Sequence, residues 1–289
     1  MRRNFLNLTI ACGILVLVCG CFCRSDRDSV ASDPGQTQAE ENDDDPSSSS
    51  PAPKRNDNGD FKVEHLGVTT PRYVEIDKQV RSEKLLEKAA DKLNRALVLP
   101  VDITLRTQDC NQVNAFYDPA DHSVTMCYEL MEHFYQTFRG SGDSQSESYK
   151  RMYDAVRFVF LHEIGHALID IYKLPVTGNE EDAADRLSAF VNLKELGEEG
   201  VRACFAAAAA FQIESKRSTP GQRNLADEHL LQEQRFYNSL CMIYGSNTTK
   251  YENIVTEGYL PKERAVRCQT EFQRTVDGWT KLIAPWRKG

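Results

Sequence analysis

The period of the apolar positions changes part-way along the chain, and that change predicts the architecture. In Phe61-Lys-Val-Glu-His-Leu66 apolar and polar residues alternate, as in a half-buried strand. Over residues 77–97 the spacing becomes helical, with Leu85, Leu86, Ala89, Leu93 and Leu97 on one side. Residues 99–105 read as a second strand. Two β-prone runs, 113–117 and 123–127, flank Asp118-Pro-Ala-Asp-His122, which predicts a hairpin. Beyond it the helical period persists. Helices are expected over 128–139, 148–172, 180–196, 201–214, 227–244 and 261–283, with a Gly/Ser break at 140–144. Strands come first and helices after, which is an α+β arrangement with a small N-terminal sheet leaning on the 148–172 helix.

The first 60 residues follow neither period. Arg2 and Arg3 precede an apolar stretch from Phe5 to Val18, too short to span a bilayer and of the right length for a signal peptide core. It ends in Val18-Cys19-Gly20-Cys21, which resembles a bacterial lipobox and makes Cys21 the expected lipidation site. An ordinary signal peptide or an uncleaved anchor is the plainer reading. In either case residues 1–20 predict export. Residues 24–60 carry ten acidic and four basic side chains, a single Val and no aromatic. Such a composition buries too little apolar surface to fold, so residues 21–60 are expected to be a disordered acidic, Ser/Pro-rich tether. Residues 61–289 form the folded domain.

Composition adds two constraints. The formal charge is -8, and most of it falls in the tether, so the domain is mildly acidic and nucleic acid is not an expected partner. Export makes disulfides available. Cys110 and Cys127 bracket the predicted hairpin, while Cys241 and Cys268 lie on the last two predicted helices; each pair is placed to bridge. Cys204, inside an apolar run, is expected to be buried. No C-x-x-C occurs in the domain, which argues against a cysteine metal site.

Candidate chemistry is concentrated in one helix. Phe158-Val-Phe-Leu-His-Glu-Ile-Gly-His-Ala-Leu-Ile169 is apolar nearly all round, yet it carries His162, Glu163 and His166. Residues four apart on a helix share a face, so both imidazoles can reach one ion, with Glu163 beside them as a base for water. The competing reading is a pair of core histidines bonded to backbone. Burying three polar side chains is costly unless something satisfies them, which favours the metal. Catalytic zinc takes three protein ligands. The third is sought just after the turn at Leu174-Pro-Val-Thr-Gly178, where Asn179 is a natural N-cap and Glu180, Glu181 and Asp182 follow. Plain capping accounts for Glu180 and Asp182. Glu181 and Asp185 share a face, one to ligate and one to accept a hydrogen bond from a ligand histidine.

His162-Glu-Ile-Gly-His166 followed by Glu181-Asp-Ala-Ala-Asp185 resembles the gluzincin pattern, H-E-x-x-H plus E-x-x-A-D. More narrowly the chain resembles a bacterial metallopeptidase family of unassigned substrate. The resemblance is carried by Asn114-Ala-Phe-Tyr-Asp-Pro119, Cys127-Tyr-Glu-Leu130, the zinc motif through Asp185, Asp227-Glu-His229 with Gln234-Arg235, and Arg264 to Cys268. It implies a zincin-like domain holding one Zn2+ through His162, His166 and Glu181, with Asp185 behind them. It implies a peptide or protein substrate, with Glu163 as general base. His229 is a candidate donor to the oxyanion, Tyr117 and Tyr237 weaker ones, and a surface histidine is the alternative for His229. The hairpin around 114–117 offers an edge strand for an extended peptide. The expected setting is the bacterial cell envelope, lipid-anchored and outside the cytoplasm. A catalytically silent zinc-binding lipoprotein is the rival; the intact Glu163 favours the enzyme.

Overall fold

The structure is a computed structural model that describes residues 55–217 and 227–288. The predicted signal peptide, Cys21 and the tether up to residue 54 lie outside the described residues. The last six tether residues, 55–60, belong to the fold. The Asn58 and Gly59 amides donate to the Leu99 carbonyl, and Asp57 accepts from the Leu99 amide.

The fold is α+β, a four-stranded sheet near the N-terminus followed by a mostly helical remainder. The strands are β1 (Phe61–His65), β2 (Ile103–Gln108), β3 (Ala115–Asp118) and β4 (Ser123–Cys127), in the order β1-β2-β4-β3. β1, β2 and β4 run parallel, and only β3 is antiparallel to its neighbour. The hairpin is therefore present with β3 as an outer strand, while β2 pairs to the far side of β4. The second strand begins at Ile103 rather than 99. Leu97 and Leu99 instead make single bridges to Arg287 and Gly59, joining the two ends of the described chain. Every residue of β4 is buried, as its place between two strands and under helices requires.

The region expected as one helix over 77–97 is two, α1 (Val74–Ser82) and α2 (Leu85–Ala96). Lys84 sits in the left-handed region at φ 53° and ends the first hydrogen-bond ladder. In one straight helix Val80 and Leu86 would point to different sides, since six residues turn through about 600°. The break lets Ile76 and Val80 of α1 and Leu86 and Ala90 of α2 all enter the core. A similar break divides 261–283 into a short turn, α9 (Lys262–Ala265), and α10 (Cys268–Ile283).

Between these lie α3 (Tyr128–Gly140), α4 (Gln145–Tyr172), α5 (Glu180–Glu195), α6 (Gly197–Arg217), α7 (Gln232–Ser246) and the single turn α8 (Asn253–Thr256). α4 starts where Ser144 accepts from the Glu147 amide and stops at left-handed Lys173. It is the central element, packing on β3, β4, α3, α5 and α6. A second core lies among α6, α7 and α10. The disulfides are the two expected from spacing: Cys110–Cys127 at the base of the hairpin, and Cys241–Cys268 between α7 and α10. Cys204 is buried and free. Among the described residues no helix is long and apolar enough to cross a membrane.

Candidate metal centre

α4 and α5 cross closely enough to bring their polar side chains to one point. The crossing depends on Gly165: a Cβ there would lie 3.0 Å from the Ala184 backbone and 3.2 Å from its methyl. α5 is started by Asn179, whose side chain accepts from the Asp182 amide, so its first turns face His162 and His166.

His162 is almost wholly buried, Glu163 likewise, and His166 partly. The Nε2 atoms of His162 and His166 are 3.2 Å apart. Glu181 places Oε2 3.1 Å from the first and Oε1 3.4 Å from the second. A tetrahedral ion bound at 2.0–2.1 Å needs donors roughly 3.3 Å apart. The three side chains already have that spacing.

What holds each imidazole decides what its Nε2 can do. His162 Nδ1 lies 2.8 Å from Asp185 Oδ1, and His166 Nδ1 lies 2.8 Å from Glu180 Oε1. Both Nδ1 atoms donate to carboxylates, so both Nε2 lone pairs face inward with the Glu181 carboxylate. Glu181 Oε2 is buried without a well-directed hydrogen bond. With the rings neutral, these acceptors converge on one point that either a proton or a metal ion can occupy. The electrostatics agree. Burial would lower the His162 pKa, but Asp185 and Glu181 outweigh it and hold it at about 9. His166 is likewise raised against its burial by Glu181 and Glu180. Burial would raise Glu181, yet the three histidines around it pull it well below the usual carboxylate range. A site that favours positive charge this strongly exchanges protons for a metal ion.

Asp185 is itself held. Arg235 reaches it from α7 with two hydrogen bonds, Nε to Oδ2 at 2.9 Å and Nη2 to Oδ1 at 2.8 Å. Against its burial, Arg235 and His162 keep the Asp185 carboxyl well below its ordinary range. The Arg235 guanidinium also lies over Phe211, 4.2 Å from the ring centre.

His229 joins the cluster from the segment before α7, which begins at Gln232 rather than at the expected 227. Its Nε2 is 2.8 Å from Glu181 Oε2, its ring stacks on His162 at 5.9 Å, and its backbone amide donates to Asp227. Asn179 fixes the same segment by donating to the Glu228 carbonyl at 2.8 Å. The donor atoms of His162, Glu181 and His229 all lie within 4.8 Å of one another. His229 is thus no ordinary surface histidine, although nearly half its side chain is exposed.

Glu163 faces a cavity of about 360 Å3 that His162 and His229 also line. Burial raises its carboxyl above the ordinary value. Tyr117 and Tyr237 do not fill the donor role suggested for them. The Tyr117 hydroxyl donates to Asp170 Oδ2 at 2.8 Å beside His122, and Tyr237 is exposed away from the cavity. Two contributions were not assigned from sequence. Glu180, explained there by capping, holds His166; its position in the first turn suits both roles. Arg235 lies 50 residues from Asp185, and only its place in a recurring motif marked it.

Residues 66–283 match one protein-family model, described as "Putative metallopeptidase". The chain belongs to that family. No curated protein and no solved structure matches it. Membership of a metallopeptidase family implies a metal ion and a peptide or protein substrate, and the cluster around Glu181 supplies ligand groups for the ion.

Proposed function

We propose that this metallopeptidase is a zinc enzyme that hydrolyses peptide bonds, with His162, His166 and Glu181 as ligands of one Zn2+ and Glu163 as general base. The observation that carries the reading is the set of three donors 3.1–3.4 Å apart beside a buried carboxylate on an open cavity. When bound, zinc lowers the pKa of a water towards about 7 and polarises a carbonyl. Glu163 takes the attacking water's proton and later delivers it to the leaving amine; its burial keeps the carboxyl's proton affinity high enough for both transfers. Asp185 and Glu180 keep each ligand ring in one tautomer. His229, 2.8 Å from Glu181, stands at the rim to donate to the oxyanion as charge develops. The outward edge of β3 offers backbone groups along which an extended peptide can lie.

The protein is further proposed to be exported and tethered in the bacterial cell envelope through lipid on Cys21. The basic, apolar and lipobox segments of the first 21 residues support this.

Digestion of an unstructured peptide library by the zinc-loaded protein, with a chelator control, tests the activity. Glu163→Gln should keep one equivalent of zinc and lose turnover by about 100-fold or more; unchanged cleavage would remove Glu163 from the mechanism. Palmitate labelling that persists in Cys21→Ser would refute the anchor.

A further inference from the structure

The cavity in front of Glu163 has a second polar feature that the proposed chemistry does not use. Away from the metal cluster it is walled by Leu130 and Phe134 of α3, Val159 of α4 and Phe211 of α6. Among these apolar side chains it is also lined by His133 and Glu214, whose Nε2 and Oε1 are 2.5 Å apart. Both side chains keep about a third of their surface or less. Val159 is one helical turn from Glu163, roughly 6 Å along the face, so a side chain next to a bond held at Glu163 reaches this wall.

The pair has a defined polarity. A carboxylate has no hydrogen to give, so Glu214 Oε1 accepts and His133 Nε2 carries the hydrogen. In a neutral imidazole the other nitrogen is then an acceptor. Among the described residues Nδ1 of His133 has no partner. A tie between α3 and α6 alone would not need this, since Arg217 already donates to Thr137 at 3.1 Å one turn further along both helices.

We infer that His133, oriented by Glu214, is a specificity-determining residue that selects a substrate side chain with an apolar body and a terminal hydrogen-bond donor, tyrosine above phenylalanine or leucine. The inference rests on the peptidase reading for its substrate class. The ring lies against Phe134, Phe211, Leu130 and Val159, and its hydroxyl donates to His133. A phenylalanine fills the same space but leaves the imidazole nitrogen without a donor, and discrimination of this kind comes from polar groups left unpaired.

The test is binding, so that it does not depend on turnover. Zinc-loaded Glu163→Gln protein is titrated with fluorescein-labelled Ala/Ser peptides that contain a single Tyr, Phe or Leu. The Tyr peptide should bind about fivefold more tightly than the Phe peptide, the size of one neutral hydrogen bond. Adding His133→Leu should bring that ratio to about one while the Leu peptide binds as before. His133→Gln, which keeps both a donor and an acceptor, should retain part of it. Equal binding of Tyr and Phe, binding of neither, or a ratio that survives His133→Leu would overturn the inference. Should His133→Leu fail to fold, the ratio with His133 intact decides alone. Tyrosine selectivity in binding with no cleavage by the unaltered protein would sink the peptidase reading and leave the pocket standing; cleavage without that selectivity would do the reverse.

Discussion

His162 and His166 present the same chemistry in two unlike settings. Each donates Nδ1 to a carboxylate at 2.8 Å. Behind His162 the carboxylate is Asp185, mostly buried and gripped at both oxygens by an arginine that is 11% exposed. Behind His166 it is Glu180, half exposed at the start of α5. The first pair is fixed by a chain of charges running from α4 through α5 to α7. The second is a contact with an exposed carboxylate, screened by water. Rigidity is stored unevenly between them. One histidine is locked into the helical core, and the other is held by a carboxylate that faces solvent.

The contrast is broken most severely at Arg235. Arg235→Leu leaves the buried Asp185 carboxylate with His162 as its remaining partner and strips the two hydrogen bonds that grip its oxygens. Removing one partner of a buried pair costs about 3–5 kcal/mol. The metal-free protein should therefore show a large fall in unfolding free energy by chemical denaturation, and much of it should return in Arg235→Leu/Asp185→Leu. A loss below about 1 kcal/mol would mean that the pair is open to water and that the two histidines are held alike.

Asp185→Asn comes next. The amide can still accept from His162 but no longer adds charge, and losing such a support lowers metal affinity about 10- to 100-fold. Competition with a chromophoric chelator measures it. Affinity within twofold of the original would show that His162 does not depend on its buried partner.

How much of this was legible beforehand follows from sequence distance. His162, Glu163 and His166 lie within one turn and a half of one helix, and Glu181 and Asp185 within another, so periodicity was enough to group them. The cysteine pairs were legible because the hairpin and the last helices carry their own local signals. The break at Lys84 was not, because lysine in a left-handed conformation leaves none of the Gly or Asn marks that announce a helix end. Nor was the parallel pairing of β2 with β4, since alternation tells which face of a strand is buried and nothing about its neighbour's direction. Arg235 meets Asp185 only through the tertiary fold, and no local pattern encodes that meeting.

Both histidine–carboxylate pairs share one mechanical support, the contact of Gly165 with Ala184. Gly165→Ala puts a methyl 3.0 Å from the Ala184 backbone, tighter than ordinary carbon contacts, so the neighbour must give by a few tenths of an ångström. Overpacking of this kind costs about 1–3 kcal/mol. Because Glu180, Glu181 and Asp185 ride on α5 together, metal affinity should fall with stability. Lost stability with unchanged metal affinity would show that the crossing distance does not set the spacing of the donors.

The smallest effect belongs to the exposed pair, and it is the sharpest test of the comparison. Glu180→Gln removes a charge 50% exposed to solvent while leaving an oxygen for His166. A surface pair contributes less than about 1 kcal/mol, so metal affinity should drop by no more than about threefold, and the drop should shrink as salt is added. The Asp185→Asn loss should be nearly independent of salt, because its charges are shielded from water by α7. Equal losses for the two variants, or equal salt dependence, would show that burial does not distinguish the two histidines and that both are held by charge alone.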